Sequence, residues 1–241
     1  MKKIFKDVLT NASIAFLSLS ASASHAVLKL EVENVTAGLT FFVTDNELFD
    51  TDPALGLLSA EHEFDYGSST VSVGTSKPLG SNSDFAAGLG LLNVVITSAT
   101  DAEFIIRLTD TDFQLIPDSG EMFASVEGTL GTGPSNTAHF DYYLNTSNGE
   151  FDTTGAVRLS SNDFSGSGGF LQNVAPIQVA GIDQPFSLTQ IAALHVDAGQ
   201  TISYDSDLNV VPNVVSEPGI LALLGLGLLG MVGGRRFTQS V

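Results

Sequence analysis

The sequence predicts an all-β body, an antiparallel β-sandwich or jelly roll, on three observations. Short apolar and β-branched stretches alternate with polar positions at a period of two. Gly-, Asn- and Asp-rich turns separate these stretches at regular intervals. No part of the body sustains a 3.6-residue period over three turns, which leaves short strands as its building unit. No self-similarity of solenoid length recurs either.

Taken in order, Leu28, Leu30 and Val32 alternate with Lys29, Glu31 and Glu33, the pattern of a half-buried strand. Gly38 breaks it, and residues 39–44 read as a second strand before an acidic loop at 45–53. Residues 61–66 and 70–73 read as a pair turning at Gly67-Ser68-Ser69, and 77–90 as irregular chain. Residues 91–98 and 102–109 read as a central hairpin. Strands follow at 122–130 and 138–144, the latter with Phe140, Tyr142 and Leu144 on one face. Residues 156–160 and 170–180 are further strands around the soft 165–169 segment. A last hairpin runs from 186–196 through Asp197-Ala198-Gly199 into 201–211, with Ile202, Tyr204, Leu208 and Val210 on its buried face. Residues 55–62 and 187–194 are the two places where a short helix fits.

The ends read differently. Lys2, Lys3 and Lys6 precede an apolar stretch, and Ser24-His25-Ala26 supplies the small residues of a cleavage site. This is the layout of a secretory signal peptide cut after Ala26. Residues 220–232 carry no charge and end at Gly233-Gly234-Arg235-Arg236. As a helix, residues 220–234 reach ~22 Å at ~1.5 Å per residue, against a ~30 Å hydrocarbon core. Local thinning and snorkelling arginines close that gap. The Arg235-Arg236 pair then acts as a basic stop on the cytoplasmic side of the inner membrane, with the body on the far side. Gly225, Gly227 and Gly230 spell a dinucleotide-binding pattern, but no strand precedes them and the match is chance. The expected division is therefore a leader at 1–26, a β body at 27–213 and a membrane segment at 214–241.

Ser216-Glu217-Pro218, the apolar run and the arginine pair, in that order, resemble the PEP-CTERM sorting signal. The resemblance implies an exported protein handled by an exosortase-type processing enzyme near Glu217-Pro218, in bacteria that make exopolysaccharide. It covers about the last tenth of the chain and says nothing of the body.

Composition bounds the rest. The 241 residues carry a formal net charge of −18, and the body holds only Lys29, Lys77, Arg107 and Arg158 as fixed cations. Nucleic acid and anionic headgroups are poor partners for such a surface. Cysteine is absent, which removes disulfides, thiolate metal sites and thiol nucleophiles. Acids recur in turns: Asp45, Asp50 and Asp52, Asp110 and Asp112, Asp205 and Asp207. Hard oxygen donors spaced this way suit Ca²⁺, and the same residues also terminate strands through Asx-turns. His62, His139 and His195 show no zinc spacing, and no nucleophile elbow occurs. Tyr66, Tyr142, Tyr143 and Tyr204 offer a sugar-stacking surface or ordinary strand aromatics. The expectation is a cell-surface or extracellular-matrix protein without catalytic role. A calcium- or carbohydrate-binding module is the first alternative and a secreted hydrolase the second.

Overall fold

The computed structural model describes residues 28–213 apart from 55, 65–66, 74–86, 116–117 and 183–184. Ala26, Tyr66, Lys77, Ser216, Glu217, Pro218, Arg235 and Arg236 lie outside the described residues, as does the expected membrane segment. Among the described residues, no helix is long and apolar enough to cross a membrane.

Thirteen strands are described: β1 (Lys29–Asn34), β2 (Leu39–Thr44), β3 (Leu58–Phe64), β4 (Gly67–Val73), β5 (Ala87–Ser98) and β6 (Ala102–Phe113) in the first half. The second half holds β7 (Ser119–Thr129), β8 (Thr137–Asn145), β9 (Val157–Ser160), β10 (Phe164–Ser165), β11 (Gly169–Ala180), β12 (Phe186–Val196) and β13 (Gln200–Pro212). They form two antiparallel sheets. The seven-stranded sheet runs β10-β8-β12-β6-β1-β2 with β9 also paired to β8, and the six-stranded sheet runs β11-β7-β13-β5-β4-β3. From β5 onward the chain crosses repeatedly between the sheets, as in a jelly roll.

Period-two patterning decides which residues meet between the layers. Leu30 and Val32 of β1, Phe104, Ile106 and Leu108 of β6, and Phe140, Tyr142 and Leu144 of β8 all point inward. Ile202, Tyr204, Leu208 and Val210 answer them from β13, the parity read from the sequence. Tyr142 Oη lies 3.0 Å from Ser206 Oγ, a buried hydrogen bond that ties one sheet to the other. Burial pushes the Tyr142 phenol well above its ordinary range, so it stays a neutral partner.

Several sequence expectations change in the folded chain. Residues 58–62 are strand, with Leu58 and Ala60 buried. Residues 187–194 also extend as β12, where Leu188, Gln190, Ala192 and Leu194 share the inner face. Gln190 breaks the apolar alternation there because its side-chain amide donates across the sandwich to the Leu89 carbonyl. The two expected hairpins are corners. β5 pairs with β4 and β13 while β6 pairs with β1 and β12, so residues 98–102 turn from one sheet to the other. The 196–200 corner does the same, and the two brace each other: Gly199 N–H donates to Ser98 O at 2.8 Å and Ala198 N–H to Asp101 Oδ1 at 2.8 Å. Gly67-Ser68-Ser69 belongs to β4 itself, β5 begins at Ala87 inside the stretch read as irregular, and β6 continues to Phe113.

Candidate functional site

With the cores paired inward, chemistry is confined to loops and to the two outer faces. The outer face of the seven-stranded sheet holds every Lys and Arg among the described residues. Lys29 meets Glu150 at 2.5 Å, Arg107 meets Glu31 and, at 3.0 Å, Glu33, and Arg158 meets Asp141 at 2.8 Å. On the outer face of the six-stranded sheet, Glu61, Glu63, Glu121, Glu127, Asp205 and Asp207 have no described Lys or Arg among them. Among the described residues, one side of the sandwich pairs its acids with cations in part and the other carries acids alone.

Asp141 of β8 is the hub of the compensated side. Its carboxylate takes a bidentate pair of hydrogen bonds from Arg158 Nη2, both at 2.8 Å, and a third from Arg158 Nε at 3.0 Å. Ser160 Oγ donates to the same carboxylate, and Tyr143 Oη reaches it at 3.4 Å. His139 Nε2 stands 3.2 Å from Asp141 Oδ1, while its Nδ1 lies 2.8 Å from Asp163 Oδ1 at ion-pair distance. A histidine, an acid and a serine therefore do meet. The order differs from a hydrolytic triad, in which the imidazole stands between serine and carboxylate. Here the carboxylate stands in the middle and Arg158 holds it. His62 lies instead in a stack on Phe41 with ring centroids 4.0 Å apart, and His195 sits 3.6 Å from Asp197.

Burial pushes the Asp141 carboxyl upward, but the Ser160 and Arg158 hydrogen bonds outweigh it and hold the group below its ordinary value of 3.8. A depressed folded value contributes stability that is full above the unfolded value and vanishes as pH falls through the folded one. Asp141→Ala should therefore cost about 2 kcal/mol at neutral pH. The gap between denaturant titrations of the two proteins should be full above about pH 4 and narrow progressively as pH falls below it, and a gap that stays full in acid would refute this.

The acids considered for Ca²⁺ divide into separate places. Asp45, Asp50 and Asp52 share the loop between β2 and β3, where backbone donors already occupy them. Gly56 N–H reaches Asp45 Oδ2 at 2.8 Å, Asn46 N–H reaches Asp50 Oδ2 at 2.8 Å, and Ala54 N–H reaches Asp52 Oδ1 at 2.9 Å. Burial, then the neighbouring Asp50 and Asp52 charges, raise the Asp45 carboxyl despite these bonds. Asp110 is buried and accepts the Thr111 N–H at 2.7 Å. Asp112 exchanges hydrogen bonds of 2.8 Å with Asn148, pinning the end of β6 to the turn after β8. These are the strand-ending roles of Asx side chains. Among the described residues, no three His, Asp or Glu converge where they could hold a metal ion.

Asp205 and Asp207 lie elsewhere, beside a groove of about 470 Å³ across β5, β7 and β13. Its polar walls are Asn93, Glu127, Thr129, Ser203 and Asp205, with Val95 between them. The groove exists because β5 bulges at Leu92-Asn93 opposite Asp205, with Asn93 at φ 53° and its N–H donating to Asp205 Oδ1 at 2.5 Å. Glu127 stands directly across from Asp205 in the ladder, an arrangement of like charges that costs stability. Burial first, then Asp205 and Glu127, raise the Asp207 carboxyl. Glu127 was invisible to a reading along the chain, since only strand pairing brings it beside Asp205. The tyrosines divide too: Tyr142 and Tyr204 are core, and Tyr143 lies beneath Arg158, whose guanidinium is 6.0 Å from the ring centre.

Beyond Pro212 the comparison with known families decides one point: residues 214–236 match the PEP-CTERM protein-sorting motif. The chain carries a PEP-CTERM sorting signal. That signal marks an exported protein that is sorted through a membrane-anchored C-terminal segment and handled by exosortase. None of the curated proteins compared matches the chain. Among solved structures, TmCBM61 in complex with β-1,4-galactotriose is 10% identical, covering 50% of this chain and 70% of its own at a TM-score of 0.31. A structure concerned with promiscuous carbohydrate-binding modules of the β-sandwich superfamily is 12% identical, covering 77% and 72%, also at 0.31. A structure of the infectious bursal disease virus Gx strain is 14% identical, covering 80% and 54% at 0.32. None of these likenesses bears on what this chain binds.

Proposed function

We propose that the chain is an exported cell-surface or extracellular-matrix protein whose β-sandwich acts without catalysis. The observation that carries this reading is the PEP-CTERM signal at 214–236, which follows directly on the last strand. The apolar run lodges in the inner membrane with Arg235 and Arg236 on the cytoplasmic side, and processing near Glu217-Pro218 then fixes the body outside the cell. An acidic surface suits a hydrated matrix, where self-repulsion keeps copies dispersed. The non-catalytic part draws support from Asp141, which is committed to Arg158 rather than free to orient a histidine.

The double substitution Arg235→Ser with Arg236→Ser should leave unprocessed chain and lower the amount of mature protein at the surface, read by intact mass and immunoblotting of cell fractions. Mature protein unchanged in mass and amount would overturn the sorting role assigned to the pair.

A second reading is favoured by the groove on the six-stranded sheet: contact with exopolysaccharide through Asn93, Glu127, Thr129 and Ser203, whose amide, carboxylate and hydroxyl groups match sugar hydroxyls. Ca²⁺ is the cofactor this reading would admit, held by the Glu127 and Asp205 carboxylates only together with oxygens of the sugar, since no three acids converge there. Calorimetry of the purified protein with the host polysaccharide, with and without Ca²⁺, should give heat that Glu127→Gln reduces. A flat titration in both conditions removes this reading and leaves the first intact.

A further inference from the structure

We infer that the anchored protein stands end-on to the membrane. The end of the sandwich where β13 finishes beside β7 and β11 faces lipid, and the β5–β7–β13 groove is carried on the distal half. The inference rests on residues 220–232 being the membrane segment, and it holds whether or not the groove takes a sugar.

The root of the tether is fixed. β13 runs to Pro212, still in register with Gly120 of β7. Asn213 then donates its N–H to Ser119 O at 3.0 Å and its side-chain amide to Gln178 Oε1 of β11 at 3.2 Å. The last described residue is therefore tied to neighbouring strands at one end of the six-stranded sheet. From Asn213 to Ile220, where the apolar run begins, even a fully extended chain spans at most ~25 Å. The headgroup layer takes about 5–8 Å of that reach.

The length of the body turns this short reach into an orientation. β13 spans ~40 Å at ~3.3 Å per residue, and its other end, Gln200, lies opposite Ser98 in the braced corners. Ser203 and Asp205 lie toward that far end, next to Thr129 and Glu127 of β7. The groove is thus about 30 Å along the strand from Asn213. A polysaccharide lodged there would be reached while the protein is still anchored.

Charge and thickness both act against lying flat. On the outer face of the six-stranded sheet, Glu127, Asp205 and Asp207 would meet phosphate headgroups within a Debye length of ~10 Å. With the opposite face down, the ~10 Å between the sheets and a layer of side chains would stand between Asn213 and the headgroups. That leaves the tether almost no slack. End-on, the smallest part of an acidic surface approaches lipid. Asp118 and Glu121 at the near end keep that approach from becoming adhesion, so the tether alone sets the distance.

Because the chain contains no cysteine, a single introduced thiol reports position cleanly. Ala180 ends β11 at the near end and Ala198 lies in the far corner, both exposed. Ala180→Cys and Ala198→Cys, in the exported form of residues 27–241, are labelled with a donor dye. They are reconstituted into phosphatidylcholine–phosphatidylglycerol vesicles that carry an acceptor dye on a fraction of the headgroups. Energy transfer to lipid should be several-fold stronger from Ala180→Cys than from Ala198→Cys. A flexible Gly/Ser spacer of about twenty residues after Asn213 should bring the two values together by lowering the first. Equal transfer without the spacer, or stronger transfer from Ala198→Cys, would overturn the end-on arrangement and leave membrane anchoring intact. No transfer from either, with the protein recovered off the vesicles, would overturn the membrane reading and this inference with it.

Discussion

Phe140→Ala is expected to destabilise the body by about 4 kcal/mol. Phe140 is 1% exposed on β8 and touches aromatic rings from both sheets. Its centroid lies 4.9 Å from Tyr204 in an edge-to-face contact, 5.9 Å from Phe170 and 6.2 Å from Phe164. Phe164 and Phe170 stack on each other at 4.5 Å, so the four rings form one packed group that closes the β8–β11 end of the sandwich. Truncation removes the transfer free energy of a buried ring and leaves a cavity that three rigid neighbours cannot fill by rotamer changes. Edge-to-face and stacked geometry add about 0.5–1.5 kcal/mol per pair beyond burial. For a body of this size, 4 kcal/mol lowers the melting temperature by roughly 8–16 °C. Leu171→Ala is the control, since Leu171 is 68% exposed on β11 and should change stability by less than about 0.5 kcal/mol. Chemical denaturation followed by circular dichroism measures both, and equal losses would mean that the ring cluster is not a seat of stability.

Such a cluster was half legible in the sequence. The inward parity of Phe140, Tyr142 and Leu144 follows from period two alone, and so does that of Ile202, Tyr204, Leu208 and Val210. That Phe140 meets Tyr204 does not follow, because it depends on which sheet each strand joins. Turn chemistry fails at this point. Asp197-Ala198-Gly199 is as good a hairpin turn as a corner, and the choice rests on whether the flanking strands bury their inner faces against each other or beside each other. Residues 187–194 were ambiguous for a related reason. Their apolar positions fit a helix until Gln190 is allowed to face inward, and only the Leu89 carbonyl across the sandwich makes that tolerable.

The chemistry divides along the same line. Asx-turns at Asp50 and Asp52 are local, and sequence spacing anticipates them. The Asp141–Arg158 pair joins β8 to β9, and the Glu127–Asp205 pair joins β7 to β13, so neither exists until strands are in register. The segregation of charge follows from that pairing. Arg107, Lys29 and Arg158 are far apart in sequence, yet alternation sends all three to one outer face and leaves the other without a described cation. Sorting, by contrast, is written in a short contiguous stretch and needs no fold to be read.

Gly128→Val is the substitution on which strand propensity and packing disagree in sign. By propensity a β-branched residue in place of this strand glycine should stabilise β7, since glycine costs roughly 0.5–1 kcal/mol within a strand. Gly128 lies in ladder register with Tyr204 on one side and Phe170 on the other. A Cβ at this position would fall against the Ser203 carbonyl oxygen, 2.7 Å from Phe170 Cζ and 2.8 Å from Tyr204 Cβ. Two of those three obstacles are backbone or backbone-proximal atoms in the same sheet, which cannot move without breaking the β7–β13 ladder, and the third belongs to the Phe140 ring cluster. Packing therefore wins, and the substitution should destabilise the body by about 3 kcal/mol, the upper end of the usual cost of overfilling a core. Gly88→Ala separates steric cost from the general effect of adding a side chain to a strand glycine. Its nearest neighbour is the Asn209 Oδ1 atom at 3.0 Å, the far end of a side chain on the outer face, which can rotate aside. That variant should unfold within about 0.5 kcal/mol of the parent. If Gly128→Val proved as stable as Gly88→Ala, β7 would have to lie farther from Phe170 and Tyr204 than the sandwich places it, and the ring cluster that closes this end would have to be redrawn with it.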